Sequence, residues 1–445
     1  MDGNNQVSVF LVGNTNDCNF NTIQEALDNV EENSVIQVKP GIYNEHLSFT
    51  KKVHLIGCNE SIKDKSSAEL PIVVLDSDKT CEIDIPVEIE GIIFTHKKDL
   101  QFDKLSSYIR TPLEFEEKKA TEFKSLLLVN SKSSFKNIAI LHAEWHGITF
   151  ACEKASLETS FIYHGYSSGI YVGNESNAII NDCIIGNSNA MAIIVSSSAT
   201  PKISFCKINK SSFMGIVTDE NANPHFISCE IQDTKIAVNV KESSTGLYEN
   251  CIIHNNSVMG IGVSDEAKPI IKDCEIFSSE IAINVSECSH PKLVRCEIYS
   301  NNIGIGTCGQ SSTSVSSSEI YSNNVGIQLM GFSSGILDKC VIHDCKNFGI
   351  HLYDKDQKAT VKNCVICKND QGIIVSGGYL EIEISEIFEN KDGVNVLGSV
   401  FVNYKKCNIH DNEFGIAGIT SNVPAYDTIV KNNRKNDICL MSYLK

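Results

Sequence analysis

The chain has 445 residues, and 38 Lys plus Arg against 55 Asp plus Glu give it a net charge of −17. That balance, with Arg at positions 110, 295 and 434 alone, excludes a nucleic-acid groove, and no run of eighteen apolar residues offers a membrane span. Eighteen cysteines, in a chain whose Met1 to Gly13 lacks the basic start and apolar stretch of a secretory signal, argue for reduced thiols and a cytoplasmic or nuclear protein rather than a disulfide framework.

Residues 1–34 read as an N-terminal cap. Within it, residues 22–30 predict an amphipathic helix with Ile23, Ala26, Leu27 and Val30 on one face and Asn21 placed to cap it. Strands are expected at Val35 to Val38, Val53 to Ile56, Ile72 to Leu75 and Glu88 to Phe94, so that residues 35–96 form irregular first coils. Residues 97–124, charged and aromatic, interrupt the pattern as an inserted loop or arm.

From residue 125 to 436 a repeat takes over, and a fixed period decides the fold. Thirteen Gly-Ile-type pairs run from Gly147-Ile148 to Gly415-Ile416 at spacings of 21–23 residues. Eight or nine residues before each pair stands a second signature, usually Cys-x-Ile, as in Cys229-Glu230-Ile231 and Cys274-Glu275-Ile276. The short β-branched runs between Asn, Ser, Gly and Pro are strands too brief to bury a face alone, so each unit must stack on its neighbours. About 22 residues supply three strands and three turns, which close one coil of a single-stranded right-handed parallel β-helix. The fold class is therefore all-β, one domain over 1–445 of about thirteen regular coils, with a capping helix at the start and a C-terminal cap at 437–445.

Stacking places equivalent residues in columns about 4.8 Å apart. Nine cysteines (183, 206, 229, 251, 274, 296, 340, 364, 407) share one repeat position, which Ser160, Ser318 and Ser385 also occupy, and they read as small buried hydrophobes at a tight corner. Outward from the strand after them lie His254, Phe277, Tyr299, Tyr321, His343, Cys367, Phe388 and His410, a ring-rich stripe that serves as cladding or as a binding surface. A second outer column, Glu220, Glu242, Asp265 and Glu287, makes an acidic edge that reads as a solvated loop, a seat for a Lys/Arg-rich protein segment or, third, a seat for Ca²⁺. The segment His142-Ala143-Glu144-Trp145-His146 would place His142, Glu144 and His146 on one side by strand alternation, with His164 stacked on His142; these four are the weak candidates for a metal or for acid/base work, against a hydrogen-bonded turn.

The segments Thr22-Ile23-Gln24-Glu25-Ala26-Leu27, Ile36-Gln37-Val38-Lys39-Pro40-Gly41-Ile42-Tyr43-Asn44-Glu45 and Val53-His54-Leu55-Ile56-Gly57 resemble the opening of pectin-lyase-like β-helix proteins. The repeats, Ala267-Lys268-Pro269-Ile270-Ile271 through Ala282-Ile283-Asn284-Val285 above all, resemble the carbohydrate-binding and sugar-hydrolase repeat domain, closest in flavour to intracellular F-box and SHC-binding β-helix proteins. An arginine base, the paired carboxylates of polygalacturonases and the Asp-Pro-His of uronate epimerases are not found as motifs, Asn223-Pro224-His225 having Asn in the carboxylate's place. The expectation is a non-enzymatic recognition scaffold with a protein partner, which the resemblance would place in a ubiquitin-ligase-type assembly. The alternatives are a carbohydrate-binding module with a glycan ligand, or a polysaccharide lyase, hydrolase or epimerase. No cofactor and no catalytic residue is assigned.

Overall fold

The computed structural model describes residues 7–109, 124–398, 400–418 and 427–440, and it divides into two units, residues 1–234 and 235–445. Each unit is a parallel β-helix in which every regular coil contributes one short strand to each of three faces. In the first unit the first face runs through strands such as Glu88–Glu90, Ser134–Lys136 and Ser156–Glu158. The second face includes Ala139–Leu141 and Phe161–Tyr163, and the third includes His146–Phe150 and Ser168–Val172. All these pairings are parallel and in register.

The register stacks like on like. Ile148, Ile170, Ile193 and Ile216 are successive partners in the first unit, and each is fully buried. In the second unit Val238, Ile261, Ile283, Ile305 and Ile327 continue in the same manner, buried to within 3%. Burial of each such side chain is worth roughly 1.5–3 kcal/mol, so the repeated apolar pair holds the coils together. The glycine before the isoleucine leaves room for the next coil: a Cβ on Gly304 would lie 2.5 Å from the Gly326 carbonyl oxygen.

The corner between the first and second faces is made by a single residue in the left-handed region, Asp182 at φ 52°, Ser228 at 51° and Asp273 at 53° among them. The residue that follows is the column cysteine. Its Sγ points inward and donates to the carbonyl two residues back, as from Cys183 to Asn181 O at 3.3 Å, and Ser160, Ser318 and Ser385 make the same bond with a hydroxyl. All nine column cysteines are at most 2% exposed, and all eighteen in the chain are free thiols.

The second unit has a further internal support. The backbone N–H groups of Asn369, Asn390 and Asn412 donate to the side-chain oxygens of Asn390, Asn412 and Asn433 at 2.9–3.0 Å, and each of the three amides donates to the carbonyl two residues before it. This ladder satisfies buried turn backbone that the coil geometry leaves without strand partners.

The first coils depart from expectation in several places. The capping helix is Ile23–Asn29, and its N-cap is Thr22 rather than Asn21. Thr22 Oγ1 accepts from Glu25 N at 3.1 Å while Glu25 returns a carboxylate to Asn21 N at 3.1 Å, a reciprocal arrangement that Asn21 as cap would lose. Strands Val9–Val12, Gly41–Asn44 and Cys81–Ile83 were not expected. The run Glu88 to Phe94 is two strands, Glu88–Glu90 and Ile93–Thr95, broken at Gly91, whose φ of 67° and close approach to Cys58 O suit only glycine. In the insertion, Leu105–Tyr108 is helical, and Leu100, Leu105 and Ile109 join a buried cluster with Ile62, Leu70 and Phe161; residues 110–123 lie outside the described residues. The expected C-terminal cap begins instead as a further rung, Asn436–Leu440 paired with Phe414–Gly418, with residues 441–445 outside the described ones.

Candidate active site

On the third face of the first unit, outward-pointing Glu82, Leu128, Thr149 and Tyr171 are consecutive register partners and form a floor. The segments His46–Phe49 and Asp78–Thr80, with Asp84, Lys124, Ser125 and His146, add the remaining lining of a groove of about 680 Å³. Three carboxylates (Asp78, Glu82, Asp84), two ammonium groups (Lys79, Lys124), two imidazoles (His46, His146) and the Tyr171 phenol open onto it. Local bonds set several of these in place. Lys124 Nζ donates to Asp78 O at 3.3 Å, Asn130 Nδ2 donates to Asp84 Oδ1 at 2.8 Å, and Ser125 and Thr149, both in the lining, share a hydroxyl bond of 2.5 Å.

His146 is the most defined member. It opens the strand His146–Phe150, directly in register with Ser168, and its Nδ1 lies 2.7 Å from Ser168 Oγ. Ser168 Oγ also lies 3.3 Å from Ile170 O, to which it can donate; in the tautomer whose Nδ1–H donates to that hydroxyl, the imidazole lone pair is on Nε2. Burial pushes the His146 pKa down to about 4, so the ring is neutral near pH 7. The Tyr171 ring lies 5.1 Å away, centroid to centroid. A neutral imidazole held through one nitrogen, beside a phenol in a groove that also holds ammonium groups, has the makings of a general base.

The expected grouping of His142, Glu144, His146 and His164 forms only in part: His164 stacks on His142 as expected, but the four do not converge on one site. His142 takes φ 52°, a corner conformation that breaks the alternation assumed for 142–146. Its Nε2 meets Tyr108 Oη at 2.6 Å, and its ring packs on His164 at 4.6 Å, away from the groove lining; burial pushes its pKa down to about 3. Among the described residues no three His, Cys, Asp or Glu side chains are placed to hold a metal ion.

The ring stripe lies on the second unit's second face. His254, Phe277, Tyr299, Tyr321 and His343 stack at 4.9–5.2 Å with planes within 14°, and Phe388 stacks on His410 at 5.4 Å. The neighbours cover the faces of the inner rings, leaving their edges outward. Tyr299 Oη bonds Glu275, and His343 bridges Asp344 and Glu319 at 2.6 and 2.9 Å.

The acidic column consists of left-handed turn residues: Glu220, Glu242, Asp265 and Glu287 have φ of 49–55°. In the first unit, Ser196 and Ser197 donate to Glu220 at 2.9 and 2.8 Å. In the second, Lys241 pairs with Glu242 at 2.5 Å, and hydrogen bonding to the Asp265 carboxylate pushes the Glu287 carboxyl above its usual range. His225 begins a first-face strand, His225–Ile227, and does not line the groove.

Sequence reasoning weighed His146 as a metal ligand or an acid/base group and missed Asp78, Lys79, Glu82, Asp84, Lys124 and Tyr171. Their spacing has no period, because most of them sit in the irregular first coils; the one available signal was the departure of residues 35–124 from the repeat.

A family model described as the right handed beta helix region matches residues 125–266, 236–386 and 303–443. No curated protein matches the sequence. Among solved structures, a double mutant of the periplasmic alginate epimerase AlgG is similar at TM-score 0.50 and 12% identity, over 72% of this chain and 82% of the epimerase. Pectate lyase Pel9A is similar at TM-score 0.42 and 9% identity, over 69% and 80%. The A-module of the Azotobacter vinelandii mannuronan C-5 epimerase AlgE6 is similar at TM-score 0.33 and 10% identity, over 92% and 93%. The family model together with the likeness to AlgG at TM-score 0.50 supports the pectin-lyase-like β-helix fold; the F-box flavour is not shown. The expected non-enzymatic scaffold is corrected: the alginate epimerase that shares the fold at TM-score 0.50 fits the alternative reading, a polysaccharide-active protein, better than a scaffold.

Proposed function

We propose, for a chain that belongs to the right-handed β-helix family, that it is a polysaccharide-active enzyme whose groove on the first unit holds an acidic sugar chain. The observation that carries this reading is His146, a neutral imidazole bonded through Nδ1 to Ser168 in a groove shared with Tyr171, Lys79 and Lys124. In a uronate the proton on the carbon next to the carboxylate is the acidic one. His146 Nε2 takes that proton, the electron pair moves into the carboxylate, and the lysine ammonium groups offset the charge that develops there. The Tyr171 hydroxyl is the matching acid: donation to the leaving glycosidic oxygen completes an elimination, and return of a proton to the opposite face of the carbon completes an epimerisation.

The test is incubation of the full chain with alginate, pectate and a neutral glucan, following unsaturated ends, exchange of solvent deuterium at the carbon next to the carboxylate, and reducing ends. Unsaturation or exchange on a uronate polymer, lost by at least about a hundredfold in His146→Ala, is the expected result. New reducing ends without unsaturation, lost in Glu82→Gln or Asp84→Asn, would instead assign hydrolysis to the carboxylates. Absence of all three signals on every polymer sinks the reading.

A further inference from the structure

A second cavity in the first unit, about 340 Å³, is lined by Lys52, Lys132 and Lys154 together with Ser134, Ser156 and Glu88. Three lysines around one hollow are unexpected in a chain of net charge −17, and the register shows how they meet. His54, Glu88, Ser134 and Ser156 are successive partners on the first face. Lys52, Lys132 and Lys154 each stand two residues before their coil's member of that row, so one column reads Lys52, Pro86, Lys132, Lys154. Lys132 and Lys154 are thus one coil apart, about 5 Å in backbone spacing, and all three lysines are exposed and form no ion pair among the described residues.

The hydroxyls add to the donor set. Ser134 and Ser156 are direct register partners at the start of their strands, and neither hydroxyl has a protein partner among the described residues. Ser133 is different: it accepts from Val87 N at 3.0 Å and is bonded to Ser131, so it serves the turn. The one carboxylate, Glu88, faces His54 at 3.9 Å. Three ammonium groups and two free hydroxyls around a cavity, against a single carboxylate, form a donor-rich hollow whose like charges repel each other until an anion enters.

We infer that this cavity is a binding site for a tetrahedral oxyanion, a phosphate or sulfate group, gripped by Lys52, Lys132 and Lys154 with Ser134 and Ser156. The inference does not depend on the chemistry of the larger groove. The group has two sources, the free inorganic ion or an ester on a polysaccharide.

The test measures binding to the full chain by calorimetry at constant ionic strength, with sodium phosphate, sodium sulfate, dextran sulfate and uncharged dextran as probes and chloride as the balancing salt. Phosphate or sulfate should bind in excess of chloride, and Lys132→Ala with Lys154→Ala should weaken it by about tenfold or more. Ser134→Ala with Ser156→Ala, which keeps the charges and disturbs the coil least, should weaken it by a smaller factor. Dextran sulfate binding more tightly per ester than free sulfate, with dextran silent, identifies the polymer as the source; equal binding identifies the free ion. Failure of phosphate and sulfate to exceed chloride, or equal binding by wild type and both double variants, overturns the site.

Discussion

At the scale of single residues, position within the coil dominates chemical type. A histidine on an outer strand, His343 or His410, is clasped by two carboxylates, and at His410 these raise the pKa against the lowering effect of burial. Among the described residues His146 has no such carboxylate partners, and burial holds it near 4. The unfolded chain binds a proton at this residue near pH 6.5, so between about 6.5 and about 4 the unfolded state holds more protons than the folded one. The stability that His146 supports is therefore fully present above pH 6.5 and lost as pH falls toward 4. Urea midpoints across that window should fall more steeply for wild type than for His146→Gln, and kcat/KM on a uronate polymer should keep its acid limb near 4 rather than near 6.5. Of these facts the sequence disclosed only that histidines cluster at 142–146; the corner at His142, which separates them, is a backbone property no residue type announces.

At the scale of elements, the strands are short and their cohesion comes from columns. The ring stripe belongs to the second face of the second unit, and its order was readable from the repeat because strand alternation and a constant coil length are enough to align it. Tyr299 contacts a ring on either side and also bonds Glu275. Tyr299→Ala removes two stacked pairs and should lower stability by roughly 1–3 kcal/mol, measured by denaturant unfolding, while Tyr299→Phe keeps the stacks and should cost clearly less. Equal losses in the two variants would assign the stabilisation to the hydroxyl. The asparagine ladder was harder to see, since Asn at a turn looks like any other turn former until the side chains are found bonded to the coil beyond.

At the scale of the whole molecule, eighteen free thiols coexist in one chain because twelve of them are buried. Burial pushes thiols such as Cys296 and Cys345 up to about 12, which suppresses the reactive thiolate. A native thiol titration should find the six partly exposed cysteines, at 18, 58, 152, 288, 308 and 439, and the other twelve should respond only with denaturant; fast native labelling of Cys229 or Cys274 would contradict the interior column. The period of 21–23 residues and its β-branched content dictated the coil, the three faces, the buried columns and the outward stripe, since a chain that repeats its apolar spacing can bury those residues only by stacking like on like. The groove and the lysine cavity follow no such rule. They arise where residues 46–52, 78–88, 124–134 and 146–171 are brought side by side, and that meeting depends on the irregular path of the first coils through space, which a spacing along the chain does not encode.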